Sequence, residues 1–506
     1  MTTWAAADGS AVSIVIPTIG RPSLREVLTS VFRSGSTTGR PLPSIYVVDD
    51  RPGQGAALDL GPSPPPVTVL HSGGRGPAAA RNVGWRRARA DWVAFLDDDV
   101  QVSPSWLADL AADLDQPPSV AGVQGRISVP LPAGRPPTDW ERGTAGLGTG
   151  RWITADMAYR RSALQRVGGF DERFARAFRE DSDLALRVLD ARYELVQGQR
   201  RTVHPVRPAG WWASLHQQRG NADDVLMTRL HGRDWRRRAE APLGRRPLHL
   251  LTTTMALTVP AAMSLRRRGA AALAGLGWAV LTAEFAWRRI RGGPRDRREV
   301  WTMLTTSAAI PPAASWHWVR AMTRRWSVAP PWERLPAAVL VDRDGTIVED
   351  VPYNGDPRRV QPMPGAAGAL QRLRQAGIPI AVVSNQSGIG RGLLAHSDVD
   401  AVNARIEELL GPFDGWFVCP HTDADGCDCR KPMPGLVQQA ARRLGVWPED
   451  CVVIGDIGAD VGSAQAAGAR AILVPTSETR ADEVRSAPHR ATTLTDAVDI
   501  VLAGRY

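Results

Sequence analysis

A chain of 506 residues exceeds the size at which a single hydrophobic core keeps growing, so two or more domains are expected, and 43% apolar against 23% charged residues excludes a disordered chain. The formal charge is +10, yet residues 236–334 alone carry 18 Arg against 5 acids, a surplus of 13 that leaves the remainder slightly acidic. A basic excess confined to one middle segment argues against a nucleic-acid-binding face and points to a membrane surface or a solvated linker. Of the 62 basic residues only Lys431 is a lysine, as a genome-wide coding bias toward arginine would produce. All four cysteines lie after residue 418, three of them at metal-ligand spacing, so disulfides are not expected. Residues 1–11 lack the charged and apolar regions of a secretory signal.

In chain order, residues 12–16 are a β-branched run closed by Pro17, 23–33 has helical periodicity, 45–48 is a second apolar strand closed by acids, and 92–96 repeats that pattern before Asp97. Strands alternating with helices predict a mostly parallel sheet covered on both faces, with ligands at the carboxyl ends of its strands. Residues 1–235 form this first unit, and 236–334 a basic, partly apolar helical segment. That segment holds apolar stretches at 247–263, 270–287 and 300–319, each near the ~20 residues that span a bilayer. Pro260, Glu284 and Pro311-Pro312 interrupt them. A membrane-associated helical group and a soluble linker packed on the first domain are both open readings. Alternation restarts at Pro336, with strands predicted at 337–341, 379–383, 415–418, 451–454 and 471–474 and helices at 365–376, 399–410, 435–444 and 462–467. Residues 335–506 therefore form a second α/β sandwich.

Asp342-Arg343-Asp344-Gly345-Thr346 sets two carboxylates two residues apart at the end of an apolar strand. One can attack phosphorus while the other protonates the leaving oxygen and then activates water. Ser384 follows the next strand and opens a Gly-rich turn, Asn385 to Gly392, whose hydroxyl and N–H groups can cradle phosphate oxygens. Lys431 supplies a compact positive charge, and Asp456 with Asp460 ends another strand as hard oxygen ligands for Mg²⁺. The order of these motifs resembles the haloacid dehalogenase superfamily. That resemblance implies that Asp342 is the nucleophile, Asp344 the general acid/base, and Ser384, Asn385 and Lys431 phosphate binders, with Mg²⁺ held by Asp342, Asp456 and the Asp344 carbonyl.

Cys419, His421, Cys427 and Cys429 fall within eleven residues. Three thiolates and an imidazole suit tetrahedral Zn²⁺, and four protein ligands leave no open position, which defines a structural site. Together with the preceding motifs, this loop resembles the histidinol-phosphatase and heptose-bisphosphate-phosphatase branch. The Asn385–Gly392 turn is similar to the heptose enzymes, and the five-residue spacer from His421 to Cys427 to the histidinol type. Arg430, beside Lys431, is a candidate for a second substrate phosphate through its fork geometry.

In the first unit, Asp97-Asp98-Asp99 ends a strand where carboxylates can hold Mg²⁺ or Mn²⁺ against a diphosphate. Asp49-Asp50 ends the preceding strand, Gly76 to Gly84 with Arg81 leads toward the triplet, and Gly168-Gly169 introduces the acidic cluster Glu180-Asp181-Ser182-Asp183. These pieces resemble family 2 glycosyltransferases of the GT-A fold over 12–205. The resemblance implies Asp49, Asp50, Arg81 and Asp97 at the nucleotide-sugar, Asp99 at the metal and Asp181 as the base that deprotonates the acceptor, with inversion at the anomeric carbon. His204 is a candidate further ligand. The combined expectation is a cytoplasmic two-enzyme fusion acting on a sugar phosphate, foremost D-glycero-D-manno-heptose 1,7-bisphosphate, and on a nucleotide-sugar with a carbohydrate or lipid-linked acceptor, without nucleic acid, and with 247–319 as the segment open to membrane contact. Alternatives are a histidinol- or other sugar-phosphate phosphatase beside an unrelated transferase, or one inert domain serving as a scaffold.

Overall fold

A computed structural model describes residues 11–38, 42–52, 57–61, 66–323, 335–504 and 506. The signal-sequence reading of residues 1–11, Ala11 apart, and the end of the linker at 324–334 lie outside the described residues.

The N-terminal sheet has eight strands: β1 (Val12–Thr18), β2 (Ser44–Asp49), β3 (Val67–His71), β4 (Trp92–Leu96), β5 (Gln101–Val102), β6 (Val120–Ser128), β7 (Asp156–Arg160) and β8 (Glu194–Val203). Their order is β3-β2-β1-β4-β7-β6-β8-β5. β1 is buried along its whole length, as its β-branched run predicts for a central strand covered on both faces. The pairings β3-β2, β2-β1, β1-β4 and β6-β8 are parallel, and β7 runs against both β4 and β6. β5 also runs antiparallel to β8. The half that carries β1, β2 and β4 therefore follows the sequence pattern, whereas the half built on β6 to β8 is mixed and hides from it. The reason is chemical: β6 to β8 enclose a buried ionic network. Arg200, with no exposed surface, donates to Asp156 at 2.7 Å, to Asp113 at 3.0 Å and to the Val123 carbonyl at 2.7 Å. Charges inside a strand mimic surface sequence unless their partners are known.

The C-terminal sheet is wholly parallel, with β9 (Ala338–Val341), β10 (Ile380–Asn385), β11 (Gly415–Cys419), β12 (Cys451–Gly455) and β13 (Arg470–Leu473) in the order β11-β10-β9-β12-β13. Helices Ala366–Gln375 and Leu494–Leu502 cover one face, and Gly435–Leu444 and Gly458–Ala467 the other. Every strand expected from the apolar runs is present within two residues, because short apolar runs bounded by Gly, Pro and Asp are what a doubly covered parallel sheet requires.

Between the sheets lie helices Arg246–Ser264, Arg268–Arg291 and Arg297–Thr323. The last buries Met303, Ile310 and Ala314 and packs along Asn221–His231 of the first unit. Arg289 ties the group to that unit through Asp139 at 2.8 Å. The two sheet units also touch directly. Arg86 donates to the Ala376 carbonyl at 2.9 Å, Arg75 to Gln375 at 2.6 Å and Arg161 to Gly445 at 2.6 Å, and Arg87 pairs with Asp414. Three of these arginines meet carbonyls at or just beyond helix C-termini, where cations are favoured. Gly377 permits the approach: its φ is +71°, and a Cβ there would sit 2.5 Å from the Val83 Cα.

Candidate active sites

In the C-terminal unit the ends of β9, β10 and β12 converge. Asp342 leaves β9 and its N–H donates to the Ile454 carbonyl of β12 at 2.8 Å. Lys431 Nζ, buried, donates to Asp342 at 2.5 Å, to Asp460 at 2.5 Å and to the Val383 carbonyl at 3.0 Å. Asp342, Asp344, Ser384, Asn385, Lys431 and Asp456 all line one cavity of about 230 Å³. Asn385 acts mainly on the backbone there: its side chain accepts from the Lys431 N–H at 3.0 Å and donates to the Lys431 carbonyl at 3.1 Å, clamping the lysine. Gln386 donates to both Asp344 (2.8 Å) and Ser384 (2.9 Å), while Arg343 forks onto Asp344 and reaches Asn403. Gly345, at φ +73°, is required because a Cβ would lie 2.3 Å from an Asp456 carboxylate oxygen.

Asp342, Asp456 and Asp460 each offer a carboxylate oxygen within 4.8 Å of the others. Three buried carboxylates against one ammonium leave two uncompensated negative charges, which fits a divalent cation. The same crowding governs protonation. Burial, with Asp460 and the other acids reinforcing it, raises Asp342 well above the usual carboxylate range despite Lys431. Asp456 is pushed up to about 7 by burial and by Asp460. Burial pulls the Lys431 ammonium down, but Asp342 and Asp460 outweigh it, and the net shift is upward.

Arg430 does not line this cavity. Its Nε donates to Asp423 at 2.5 Å and its Nη1 to the His421 carbonyl at 3.4 Å. The Asp344 carboxylate is not one of the three clustered acids; it is held by Arg343 and Gln386.

The loop that delivers Lys431 carries the sulfur cluster. Cys419, Cys427 and Cys429 sulfurs stand 3.2, 3.4 and 3.7 Å apart, and His421 Nδ1 lies 3.6 Å from Cys419 and 3.3 Å from Cys429. Ligand bonds of ~2.3 Å around a tetrahedral ion place sulfurs about 3.7 Å from one another, so the four atoms fit one ion.

In the N-terminal unit, Pro17, Asp50, Arg81, Asp97, Asp98 and Arg207 are among the residues lining a cleft of about 310 Å³ at the carboxyl ends of β1, β2 and β4. Asp49, Asp99 and Asp181 lie outside that lining. Asp49 is clasped by Arg51, which outweighs burial and lowers its pKa. Asp50 accepts from Ser72 Oγ at 2.6 Å and from the Gly76 N–H at 2.9 Å, so it shapes the glycine turn. Gly76, at φ +99°, faces the Ala175 carbonyl, 2.7 Å from where a Cβ would be. Arg81 is buried between Asp97 and Glu180, 2.9 Å from each, and joins the two acidic clusters. Asp98 is consumed by Thr18 (2.7 Å) and Arg21 (2.6 Å). Asp97, Asp99 and His204 present ligand atoms within 4.8 Å of one another, with Arg207 paired to Asp99. Burial, then Asp97, raises Asp99. Burial also raises Asp181, with Asp97 adding to it, and pushes Glu180 up to about 8, with Asp181 adding to it.

Arg207, Gln386 and the Asn385 clamp were not singled out from sequence, and Glu180 was read only as one member of an acidic cluster. Gln386 alone left a local signal, two residues after Ser384. The others matter through partners 46 to 108 residues distant.

A buried aspartate cluster on a parallel sheet and an acid-lined cleft on a mixed one define two catalytic units of different classes. Residues 13–183 match the family described as Glycosyl transferase family 2, and residues 428–499 the HAD-hydrolase-like family. The C-terminal part is 36% identical over 145 residues to the D-glycero-beta-D-manno-heptose-1,7-bisphosphate 7-phosphatase of Pseudomonas putida, covering 28% of this chain and 83% of that protein. The crystal structure of D,D-heptose 1.7-bisphosphate phosphatase from B. bronchiseptica, complexed with magnesium and phosphate, is 31% identical and covers 33% of this chain and 98% of its own, with a TM-score of 0.31. A mannosyltransferase from Pyrobaculum calidifontis in complex with GDP-Man and Mn2+ is 19% identical and covers 61% of this chain and 87% of its own, with a TM-score of 0.35. The chain belongs to the heptose-bisphosphate phosphatase family of haloacid dehalogenase enzymes through its C-terminal unit, fused behind a family 2 glycosyltransferase. Both units are enzymes.

Proposed function

We propose that the C-terminal unit is a Mg²⁺-dependent phosphatase that removes the 7-phosphate of D-glycero-D-manno-heptose 1,7-bisphosphate through an aspartyl-phosphate on Asp342. The observation that carries this reading is the convergence of Asp342, Lys431 and Asp456 on one cavity with Ser384 at its wall. Asp342 attacks phosphorus. Asp344, held by Arg343 and Gln386, gives a proton to the leaving sugar oxygen and takes one from the water that frees the phosphate. Ser384 and Lys431 hold phosphoryl oxygens, with Asn385 fixing the lysine backbone. Mg²⁺, held by Asp342, Asp456 and the Asp344 carbonyl, would supply charge neutralisation for the phosphoryl group. Zn²⁺ is the ion we assign to Cys419, His421, Cys427 and Cys429, where it would hold the Lys431 loop in place.

The N-terminal unit we read as a metal-dependent inverting glycosyltransferase. Asp50, Arg81 and Asp97 serve the nucleotide-sugar directly or through the turn they shape, with Asp49 behind them. Asp99, with Asp97 and His204, would hold Mg²⁺ or Mn²⁺, whose charge stabilises the departing diphosphate. Asp181 deprotonates the acceptor, and its raised pKa suits a base. We place the unit boundaries at 235 and 334 and the chain in the cytoplasm, at the inner face of the membrane, with a carbohydrate or lipid-linked acceptor and no nucleic acid. A donor heptose made through the phosphatase would join both activities in one route.

Phosphate release by the full chain from heptose bisphosphate and from histidinol phosphate tests the substrate. Preference for the heptose ester, abolished in Asp342→Asn, is expected, and turnover of histidinol phosphate alone would overturn the assignment. Nucleotide-sugar turnover should need Mn²⁺ or Mg²⁺ and vanish in Asp99→Ala; metal-free activity would remove Asp99 from its role.

A further inference from the structure

Of the three middle helices, one is absorbed by the first catalytic unit and two are not. Arg297–Thr323 packs along Asn221–His231 and against the other two, whereas Arg246–Ser264 and Arg268–Arg291 pack chiefly on each other as an antiparallel hairpin whose distal half has no protein cover among the described residues. Within that half the two helices meet through small side chains, with Ala262, Ala271 and Ala274 buried and Gly277 facing Met255. The remaining circumference is open and uncharged, and its Thr258 and Ser264 hydroxyls donate back to the Thr254 and Pro260 carbonyls of their own helix. Leu251, Leu257 and Met263 are spaced by six residues, which turns each about 240° from the last, so they point to three different sides, and all three are exposed. Leu265, Leu273 and Leu276 are 70%, 73% and 63% exposed. A helix that lies on a surface is apolar on one stripe only; a helix apolar all round is buried in protein or in lipid. Among the described residues, no protein surface covers this one.

The charges fall at two levels. Between Arg246 and Arg266 the first helix has no Asp, Glu, Lys or Arg over 19 residues, and between Arg268 and Arg288 the second has 19 residues interrupted only by Glu284. Each run rises about 28 Å, close to the ~30 Å hydrocarbon thickness of a bilayer. Arg266, Arg267 and Arg268 cap the far end, and Arg245, Arg246, Arg288, Arg289 and Arg291 ring the near end. Glu284 sits one turn from the near end and pairs with Arg245 and Arg288. The second helix is by itself long and apolar enough to cross a membrane, with mean hydropathy 1.4 and 17% of that window buried.

We propose that residues 246–291 are a transmembrane helical hairpin in a bilayer with anionic headgroups. Both catalytic units sit at its five-arginine end, and the Arg266–268 tip reaches the opposite headgroups. The larger arginine cluster fixes the side on which the catalytic units stay. The inference is independent of either substrate assignment.

The test uses the full chain expressed in a bacterial host, with Gly269→Cys at the tip and a membrane-impermeant maleimide applied to spheroplasts. Labelling at least tenfold above wild type before lysis, with the chain kept in the membrane pellet after alkaline carbonate washing, is the expected result. A pelleted chain whose tip is labelled only after lysis would overturn the spanning arrangement, and release by carbonate would overturn insertion altogether. The pair Leu257→Arg and Leu276→Arg should move the chain at least tenfold toward the soluble fraction while hydrolysis of p-nitrophenyl phosphate is unchanged, which shows that the catalytic fold persists. Unaltered partition of that variant would also sink the proposal.

Discussion

Replacing Lys431 by Met removes the one cation that, among the described residues, pairs with Asp342 and Asp460, and keeps a side chain of similar length. In the native structure the ammonium makes three contacts, at 2.5, 2.5 and 3.0 Å, and is buried. Breaking a buried ion pair from one side costs about 3–5 kcal/mol, because the surviving carboxylates are left uncompensated. For a domain of this size each kcal/mol shifts the midpoint by roughly 2–4 °C, so the C-terminal transition should fall by about 10 °C in metal-free buffer. Phosphatase turnover should fall by at least 10³, about 4 kcal/mol of lost phosphoryl stabilisation. Adding Asp460→Asn to Lys431→Met removes one stranded charge and should restore part of the stability without restoring turnover. Lys431→Arg should not rescue activity, since the larger planar guanidinium overpacks a site closed by the Val383 carbonyl. Differential scanning calorimetry with chelator, paired with phosphate release, measures both quantities. Equal metal-free midpoints for Lys431→Met and wild type would refute the charge argument.

Glu180 has a pKa of about 8 in the folded chain against 4.5 in the unfolded one, so its neutral form is favoured. That contribution is full below pH 4.5 and is lost as pH rises through 8. Glu180→Gln should therefore gain stability over wild type from pH 6 to pH 9, by the order of 3 kcal/mol, as read from metal-free denaturation curves. Cys429→Ser should lower bound zinc below one equivalent by elemental analysis and reduce phosphatase activity while nucleotide-sugar turnover stays intact. Gly377→Leu should clash with the Val83 backbone, and limited proteolysis should then cut between the two units faster, with each activity retained.

Sequence alone determined the parallel sheet, the acids at the ends of its strands, and the cysteine-histidine loop. These are local patterns: apolar runs that stop at Asp, and ligands within eleven residues. The lone lysine was legible as an exception to the chain's own composition, and the structure gives it two carboxylates to face. Tertiary structure decided the rest. That Arg430 pairs with Asp423 was not legible from its place beside Lys431. The mixed half of the first sheet depended on an ionic network whose members, Asp113, Asp156 and Arg200, are far apart in the chain and read singly as surface residues. Three apolar stretches of similar composition separated into one docked helix and one uncovered hairpin, because burial depends on which partner surface is available and not on the stretch itself.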